Sequence, residues 1–562
     1  MNGLVIVLIG IVCLGAGYLL YGRWLANKWG LDAKAKTPAF THEDGEDYVP
    51  SSKFTVFSHQ FSSIAGAGPV TGPILASVFG WVPVLLWLIV GGLFFGAVQD
   101  FGALYASVKN EGKSMGMIIE KYIGKTGRKL FMLFCWLFTL LVIAAFTDMV
   151  AGTFVAKGVE GMTEKTANAD ASAASISMLF IVVAVLFGLY IKYAKPNGKL
   201  QFVIGIILLI AMLAVGIKFP LYFSKNVWLA VIFVYIFVAA IAPMWILMQP
   251  RDYLSSFLLI GMIVGAVLGI IVANPSMNLP AFAGFNVGGK NLFPTLFITI
   301  ACGAVSGFHS LVSSGTSSKQ VKNEKDMLCI SYGAMNVETL LGVVALVVVG
   351  SASVGGKIPD GTPFTIFASS VAGFLEKLGI SQHIAVCFMT MCISALGLTT
   401  LDSVARIGRM SFQELFLDEE TDKSKLSKVV KFLTNDYVAT LITLALGLLL
   451  AFGGYNSVWP LFGSANQLLS ALVLITLAVF LRVTGRKGFM LWAPMAIMLI
   501  VTLTSLVQAT ITILEKLFVT GGFVFLTDGL QLIFAILLMV LGVLVALSSF
   551  KKLFGKEEKV QA

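Results

Sequence analysis

Charge is what this sequence has least of. Asp, Glu, Lys and Arg together make up 12% of its 562 residues, about half the share of an ordinary soluble domain. A chain that faces water on all sides is thereby excluded. Histidine is scarce, with four residues in all. The six cysteines (Cys13, Cys135, Cys302, Cys329, Cys387 and Cys392) sit inside apolar runs without metal-ligand spacing. They read as small apolar residues rather than as a disulfide framework or a zinc site. There is no HExxH, no phosphate-cradling GxxxxGK[ST] and no CxxC pair. The serine beside a histidine in FHSLVSS makes no nucleophile and base, because adjacent residues on a helix point in different directions. An intramembrane enzyme is the disfavoured alternative, and no cofactor or metal is expected.

What the chain has instead is apolar length. Hydrophobic residues make up 57% and the mean hydropathy is +0.91. Runs long enough to cross a hydrocarbon core of ~30 Å recur at 3–21, 58–80, 82–107, 129–156, 173–192, 200–217, 227–247, 256–273, 293–316, 328–350, 382–408, 437–453, 458–482, 489–511 and 525–548. The fold class is an all-α polytopic membrane protein of about 15 transmembrane helices. Met1 to Tyr21 has no basic residue before its apolar core and reads as an uncleaved first span. The net charge of +10 advertises no nucleic acid. With the 22–57 loop on the cytoplasmic side, 31 of the 39 Lys and Arg fall on that side, the positive-inside bias. It places the N-terminus outside and the C-terminus in the cytoplasm.

Two of the spans are broken. HQFSSIAGAGPVTGP, residues 59–73, and ACGAVSGFHSLVSSGTSS, residues 301–318, put glycine, proline and hydroxyl groups at membrane depth. A lipid-facing helix cannot tolerate that, since each unsatisfied backbone group in hydrocarbon costs several kcal/mol. The spans lie seven apart and therefore run in opposite directions. Interrupted spans of opposite direction in corresponding positions point to an inverted-repeat secondary transporter. GMIIEKYIG in loop 108–128 and TPFTIFASSVAGFLEKL in loop 351–381 are short helical candidates in equivalent places on opposite faces. The expected division is 1–57, a first span and cytoplasmic loop; 58–217, repeat 1; 218–292, two intervening spans; 293–482, repeat 2; and 483–562, two accessory spans and a basic tail.

At the first break Pro69 suits the first turn of the resumed helix. The positive end of that half-helix favours a carboxylate, and the freed carbonyls before it favour a cation. Close packing through glycines is the bland reading. His59 and His309 are expensive inside spans and fit proton coupling, or else a bond to a backbone carbonyl. In ALGLTTLDSVARIGR, Thr399, Thr400 and Ser403 offer hard oxygen ligands for Na⁺ and Asp402 a carboxylate for H⁺. Asp402 and Arg406, four apart, are expected to pair. Asp100 and Asp148 are expected near span ends and solvated, whereas Glu338 is the deepest carboxylate and the candidate proton carrier.

SHQFSSIAGAGPVTGPILA, MWILMQPRDYLSSFLL, SGFHSLVSSGTSSKQ and WPLFGSANQLLSALVL resemble the carbon starvation protein A family of bacterial membrane transporters. The likeness runs from about Lys53 to Arg482. It implies five-helix repeats like those of the leucine transporter fold, and uptake of peptides or pyruvate during nutrient limitation. On this chain the resemblance implies that Gly66, Gly68 and Thr71 of the first broken helix contribute to the substrate site, with Ser306, His309 and Ser314 of the second. By analogy a cation lies between the Ala65 carbonyl region and Thr399, Thr400 or Ser403. The reading is a secondary active importer of a small carboxylate-bearing nutrient, a short peptide or pyruvate, coupled to H⁺ or Na⁺ in a bacterial inner membrane. A channel is the alternative from another class. It predicts continuous polar faces, whereas the polar residues here gather at the breaks.

Overall fold

Hydrocarbon offers no partners for backbone N–H and C=O, so each apolar run closes its own hydrogen bonds as a helix. In the computed structural model, residues 2–45, 47–157, 164–243, 245–417 and 426–555 are described. They form α1 (Gly3–Trp29), α2 (Lys53–Ile64), α3 (Gly68–Ala76), α4 (Trp81–Lys109), α5 (Met115–Tyr122), α6 (Lys125–Thr153), α7 (Glu164–Ala194), α8 (Gly198–Lys218), α9 (Lys225–Ile241) and α10 (Met248–Ala273). The second part of the chain forms α11 (Leu292–Thr299), α12 (Gly307–Gly315), α13 (Glu324–Ala352), α14 (Pro363–Glu376), α15 (Gln382–Glu414), α16 (Asp436–Ala451), α17 (Tyr455–Val483), α18 (Phe489–Thr520) and α19 (Leu530–Phe554). Eleven of these helices are long and apolar enough to cross a membrane, and α2 with α3 form a bent pair. The shorter apolar α9 and α16, with the interrupted pair α11 and α12, complete the fifteen expected spans. Both short helices predicted between spans are present, as α5 and α14. The last part of the basic tail, 556–562, lies outside the described residues.

The two breaks have different lengths. After Ile64 the chain leaves the helix at Ala65 (ψ 60°) and resumes at Gly68, with a 42° bend between the halves. Pro69 occupies the first turn of α3, where its missing N–H costs nothing. The second break runs from Ile300 (ψ 66°) to Ser306, which is extended. The spans run antiparallel. Ser51, just before α2, pairs with Val321, beyond α12. At the other end, Trp81 N–H donates to Pro280 O and Ala283 N–H to Phe79 O, so α3 ends beside the approach to α11. The face holding Ser51 and Val321 also carries the 22–57 loop and is called the basic face below.

Burial sorts the helices into rings. The apolar window of α17 is wholly buried and those of α6, α13 and α15 mostly so, whereas α8 is 22% buried and α1 and α18 28%. Around the breaks, α2, α3, α4, α12 and α13 pack on one another, while α6, α9, α15 and α16 form a second group. Two long helices touch both groups, as do the short α5 and α14. α10 lies on α2 and on α15, and α17 lies on α12 and on α6. The hairpin of α7 and α8 packs outside α15 and α10.

Candidate functional site

The two breaks press directly on each other. A Cβ added at Gly68 would sit 2.3 Å from Cys302 Cβ, and one at Gly66 would sit 2.5 Å from Thr400 Oγ1. Neither glycine has positive φ; closeness of approach is what requires them. Gly66 and Gly68 therefore stand together at the crossing. Thr71 turns away toward Met149 Sδ on α6, 4.0 Å off.

The predicted ion residues divide. Ser403 Oγ lies 3.4 Å from Ser63 Oγ on α2. Thr400 Oγ1, aimed at the break that contains Ala65, is buried without a hydrogen-bond partner among the described residues. Thr399 turns to Ser255 on α10, at 3.5 Å. Asp402 leaves this group. Its Oδ2 accepts from Tyr235 of α9 at 2.7 Å and from Arg251 of α10. The expected Asp402–Arg406 pair does not form: Arg406 donates to Ala242 O, at the end of α9. A buried carboxylate takes the partner that desolvates with it, and Arg251, with no exposure, is that partner.

At the second break the amides of α17 tend the loose ends. Asn466 Oδ1 accepts from Phe308 N–H at 3.0 Å, and its Nδ2 donates to Ser306 Oγ at 3.0 Å. Gln467 Nε2 reaches Phe297 O and, at 3.4 Å, Ile300 O. Gln99 Nε2 donates to Ser306 O at 2.6 Å. One of the first N–H groups of α12, that of Phe308, is thus answered from within the protein. The start of α3 has no side-chain cap.

Both intramembrane histidines meet carboxylates, not backbone carbonyls. His309 Nδ1 stands 3.0 Å from Asp100 Oδ2 on α4 and its Nε2 3.4 Å from Glu338 Oε2 on α13. All three side chains have zero exposure. Asp100, expected near a solvated span end, is buried because α4 extends to Lys109. Asp148 pairs with Lys225 at 2.7 Å. His59 Nδ1 stands 2.7 Å from Asp252 Oδ2 on α10, and its Nε2 2.8 Å from Thr316 Oγ1, just after α12.

Sequence reasoning passed over Arg251, Asp252, Tyr235, Asn466 and Gln467. For the first two the signal was present. QPRDYL puts an arginine and an aspartate next to an apolar run, but beginning the span at 256 leaves them in a loop. The helix begins at Met248 instead.

A narrow chamber leads in from the basic face between α5, α6, α12 and α15, lined by Met115, Met132 and Met410 with Ser314, Ser403 and Arg406, and it ends short of both breaks. It continues outward, past Ser114 and Glu414, into a vestibule beside Tyr48 and Lys319. Ser314 donates to Ser310 O at 2.7 Å and accepts from Met115 N–H at 3.2 Å. Beside Gly66 lies Phe146 of α6, 3.1 Å from where a Cβ would be. It stacks on Trp459 of α17 (6.3 Å between centroids) and meets Phe462 edge-on (5.7 Å). This aromatic cluster closes around the first break.

Two interrupted helices of opposite direction, crossing inside a ring of apolar helices, define an inverted-repeat membrane transporter. The chain belongs to the family described as carbon starvation protein CstA, whose model matches residues 2–358 and 352–505. It is 33% identical to the peptide transporter CstA of Escherichia coli (strain K12), over 90% of this chain and 80% of that protein. To the pyruvate/proton symporter BtsT of the same organism it is 31% identical, over 82% of this chain and 74% of that one. The peptide transporter CstA of Bacillus subtilis (strain 168) is likewise 31% identical, over 87% of each. Among solved structures, a manganese transporter of Eremococcus coleocola, bound to an aromatic bis-isothiourea compound, shares the fold. Its TM-score is 0.50 at 12% identity, with 91% of this chain and 98% of that chain covered.

Proposed function

We propose that this protein is a proton-coupled importer of a small carboxylate-bearing nutrient, a short peptide or pyruvate. It would work by alternating access in a bacterial inner membrane, with the basic face in the cytoplasm, the N-terminus outside and the C-terminus inside. The observation that carries the reading is the pair of crossed breaks, approached by a chamber from the basic face that ends short of them and walled by packed aromatics beside the first break. That arrangement fits a carrier with a central site better than a continuous pore.

The first turn of α3, which has no side-chain cap, together with the Thr400 hydroxyl beside it, unpartnered among the described residues, offers hydrogen-bond donors to a carboxylate. Gly66, Gly68 and Thr400 are the proposed substrate contacts. Ser306 and Ser314 serve the second broken helix as internal ties. For the ion, Asp402 is held by the resident guanidinium of Arg251, which leaves hydroxyls alone to attract Na⁺. Asp100, His309 and Glu338, by contrast, form a dry trio of two carboxylates and an imidazole without a basic partner among the described residues. Burying such a group is cheapest when it holds a proton, so the trio is a proposed proton-holding site. The naming of one relative as a proton symporter supports the choice.

The test is uptake of radiolabelled pyruvate and of a labelled dipeptide into proteoliposomes, each under an imposed pH gradient or a Na⁺ gradient. Accumulation driven by the pH gradient and indifferent to Na⁺ is expected. Accumulation that follows only the Na⁺ gradient overturns the proton assignment. No accumulation of either compound under either gradient overturns the importer reading.

A further inference from the structure

Consecutive residues of α10 hold the two helix groups together. Arg251 reaches the second group, through Asp402 of α15 and Tyr235 of α9. Asp252 reaches the first, through His59 of α2. The docking is fixed by a further bond, from Ser62 Oγ on α2 to the backbone O of Asp252 at 3.1 Å. The trio at His309 differs in kind. Its members lie on α4, α12 and α13, all in one group, so a proton there has no seam to open.

We propose that Asp252, with His59, is the coupling latch of the transport cycle. It is a positioning residue, and one proton at its contact decides whether the seam stays shut toward the basic face. The inference rests on the proton-coupled reading above. The hydrogen-bond directions supply the mechanism. Thr316 Oγ1 lies 2.9 Å from Val312 O and 2.8 Å from His59 Nε2, and its single hydroxyl proton serves one of them at a time: while it is donated to Val312 O, Nε2 must itself carry a proton. A second proton lies between His59 Nδ1 and Asp252 Oδ2, which at 2.7 Å are too close for two bare lone pairs. That arrangement is the loaded state. The charged groups facing the contact are Arg251 on the same helix and Asp402 on α15, with the Tyr235 hydroxyl of α9 between them. In the loaded state imidazolium and Asp252 carboxylate cancel, as do Arg251 and Asp402.

Release of one proton to water leaves a neutral imidazole donating from Nδ1 to a carboxylate. Nε2 then needs a donor, and the Thr316 hydroxyl must turn from Val312 O to supply it. The last turn of α12 loses that bond, and a net negative charge is left buried at the seam. An uncompensated buried charge is strongly unfavourable, so the seam relaxes by letting water in from the vestibule. Rebinding the proton closes it. Proton release and opening are thus one event.

The experiment compares wild type, Asp252→Asn and Asp252→Glu in proteoliposomes, using radiolabelled pyruvate and a labelled dipeptide. For one proton per substrate, a gradient of one pH unit sustains about a tenfold accumulation. Wild type should approach that limit for its substrate. Asp252→Asn should fall to a ratio of about one while still exchanging labelled for unlabelled substrate at equal pH. Asp252→Glu should recover part of the accumulation. If wild type itself accumulates nothing, the transport reading fails. If wild type accumulates and Asp252→Asn accumulates as well, the latch alone fails. Hydrogen–deuterium exchange of the intact protein in nanodiscs needs no substrate. Protection of α2 and of the last turn of α12 should fall as pH rises in wild type and stay flat in Asp252→Asn. A pH response of equal size in both proteins overturns the proposal, even where the variant transports poorly.

Discussion

The crossing of the two breaks can be tested by adding one methyl group and then removing its obstacle. In Gly68→Ala the new Cβ would lie 2.3 Å from Cys302 Cβ and 2.5 Å from its Sγ, whereas ordinary contact begins at 3.4 Å. More than an ångström of separation must open where α3 and the 300–306 segment meet, among buried side chains. Overpacking of this kind costs about 1–3 kcal/mol, a factor of roughly 5–150 in any equilibrium that needs the crossing intact. Initial uptake rate in proteoliposomes should therefore fall at least about fivefold. Cys302→Gly removes both obstructing atoms, and the nearest remaining one, Cys302 Cα, lies at 3.6 Å, an ordinary contact. The double variant should transport better than Gly68→Ala alone, giving a favourable coupling of at least about 1 kcal/mol in a double-mutant cycle. The reasoning is refuted if Gly68→Ala transports like wild type, or if Cys302→Gly does nothing to relieve it.

Two further substitutions separate stability from transport. Thr400→Val keeps the shape of the side chain and removes a buried hydroxyl that has no partner among the described residues. Resistance to unfolding should hold or rise by up to about 1–3 kcal/mol, while the apparent KM for substrate rises several-fold. A destabilised variant with unchanged KM would make the hydroxyl a packing group. Asn466→Leu strands Phe308 N–H and Ser306 Oγ in a dry interior. At about 1–3 kcal/mol for each orphaned group the loss should reach roughly 2–6 kcal/mol in denaturant titration of protein in bicelles. A loss under 1 kcal/mol would mean that the second break does not depend on α17 for its cap.

Much of this architecture is written in residue order, because lipid enforces one rule everywhere. A run of about twenty apolar residues has to be a helix, and an interruption by glycine and serine has to be sheltered. Hence the fifteen spans, the breaks near Gly66 and Gly303, and the short helices α5 and α14 are all legible before any coordinates. Hydropathy fails where a span begins with charge. Arg251 and Asp252 lie one turn inside α10, yet they depress the window that would include them, and Asp100 looked solvated for the same reason. Side-chain pairing was the least legible layer. Spacing offered Arg406 to Asp402, but the contact that forms comes from Arg251, 151 residues away. Local periodicity carries no information on a partner that distant. The placement of His59 against Asp252 is hidden likewise.

The helices that clasp the breaks also bear on where the repeats end. α10 lies on the first half of one broken helix and α17 on the first half of the other, Asp252 meeting His59 and Gln467 meeting the carbonyls of Phe297 and Ile300. Likewise α9 packs on α15 and α6, as α16 does. We propose that α9 and α10, rather than α7 and α8, close the first repeat, with the hairpin of α7 and α8 inserted ahead of them. The clasps then occupy mirror positions and differ only in chemistry. α17 uses amides, which hold no titratable proton and bind the same way at every pH. α10 uses a carboxylate and an imidazole, whose attraction depends on a proton. A transporter with two equivalent gates would run equally well in both directions under a pH change. Placing the ionisable clasp on one side only makes the gate at the basic face the one that senses release of the driving ion.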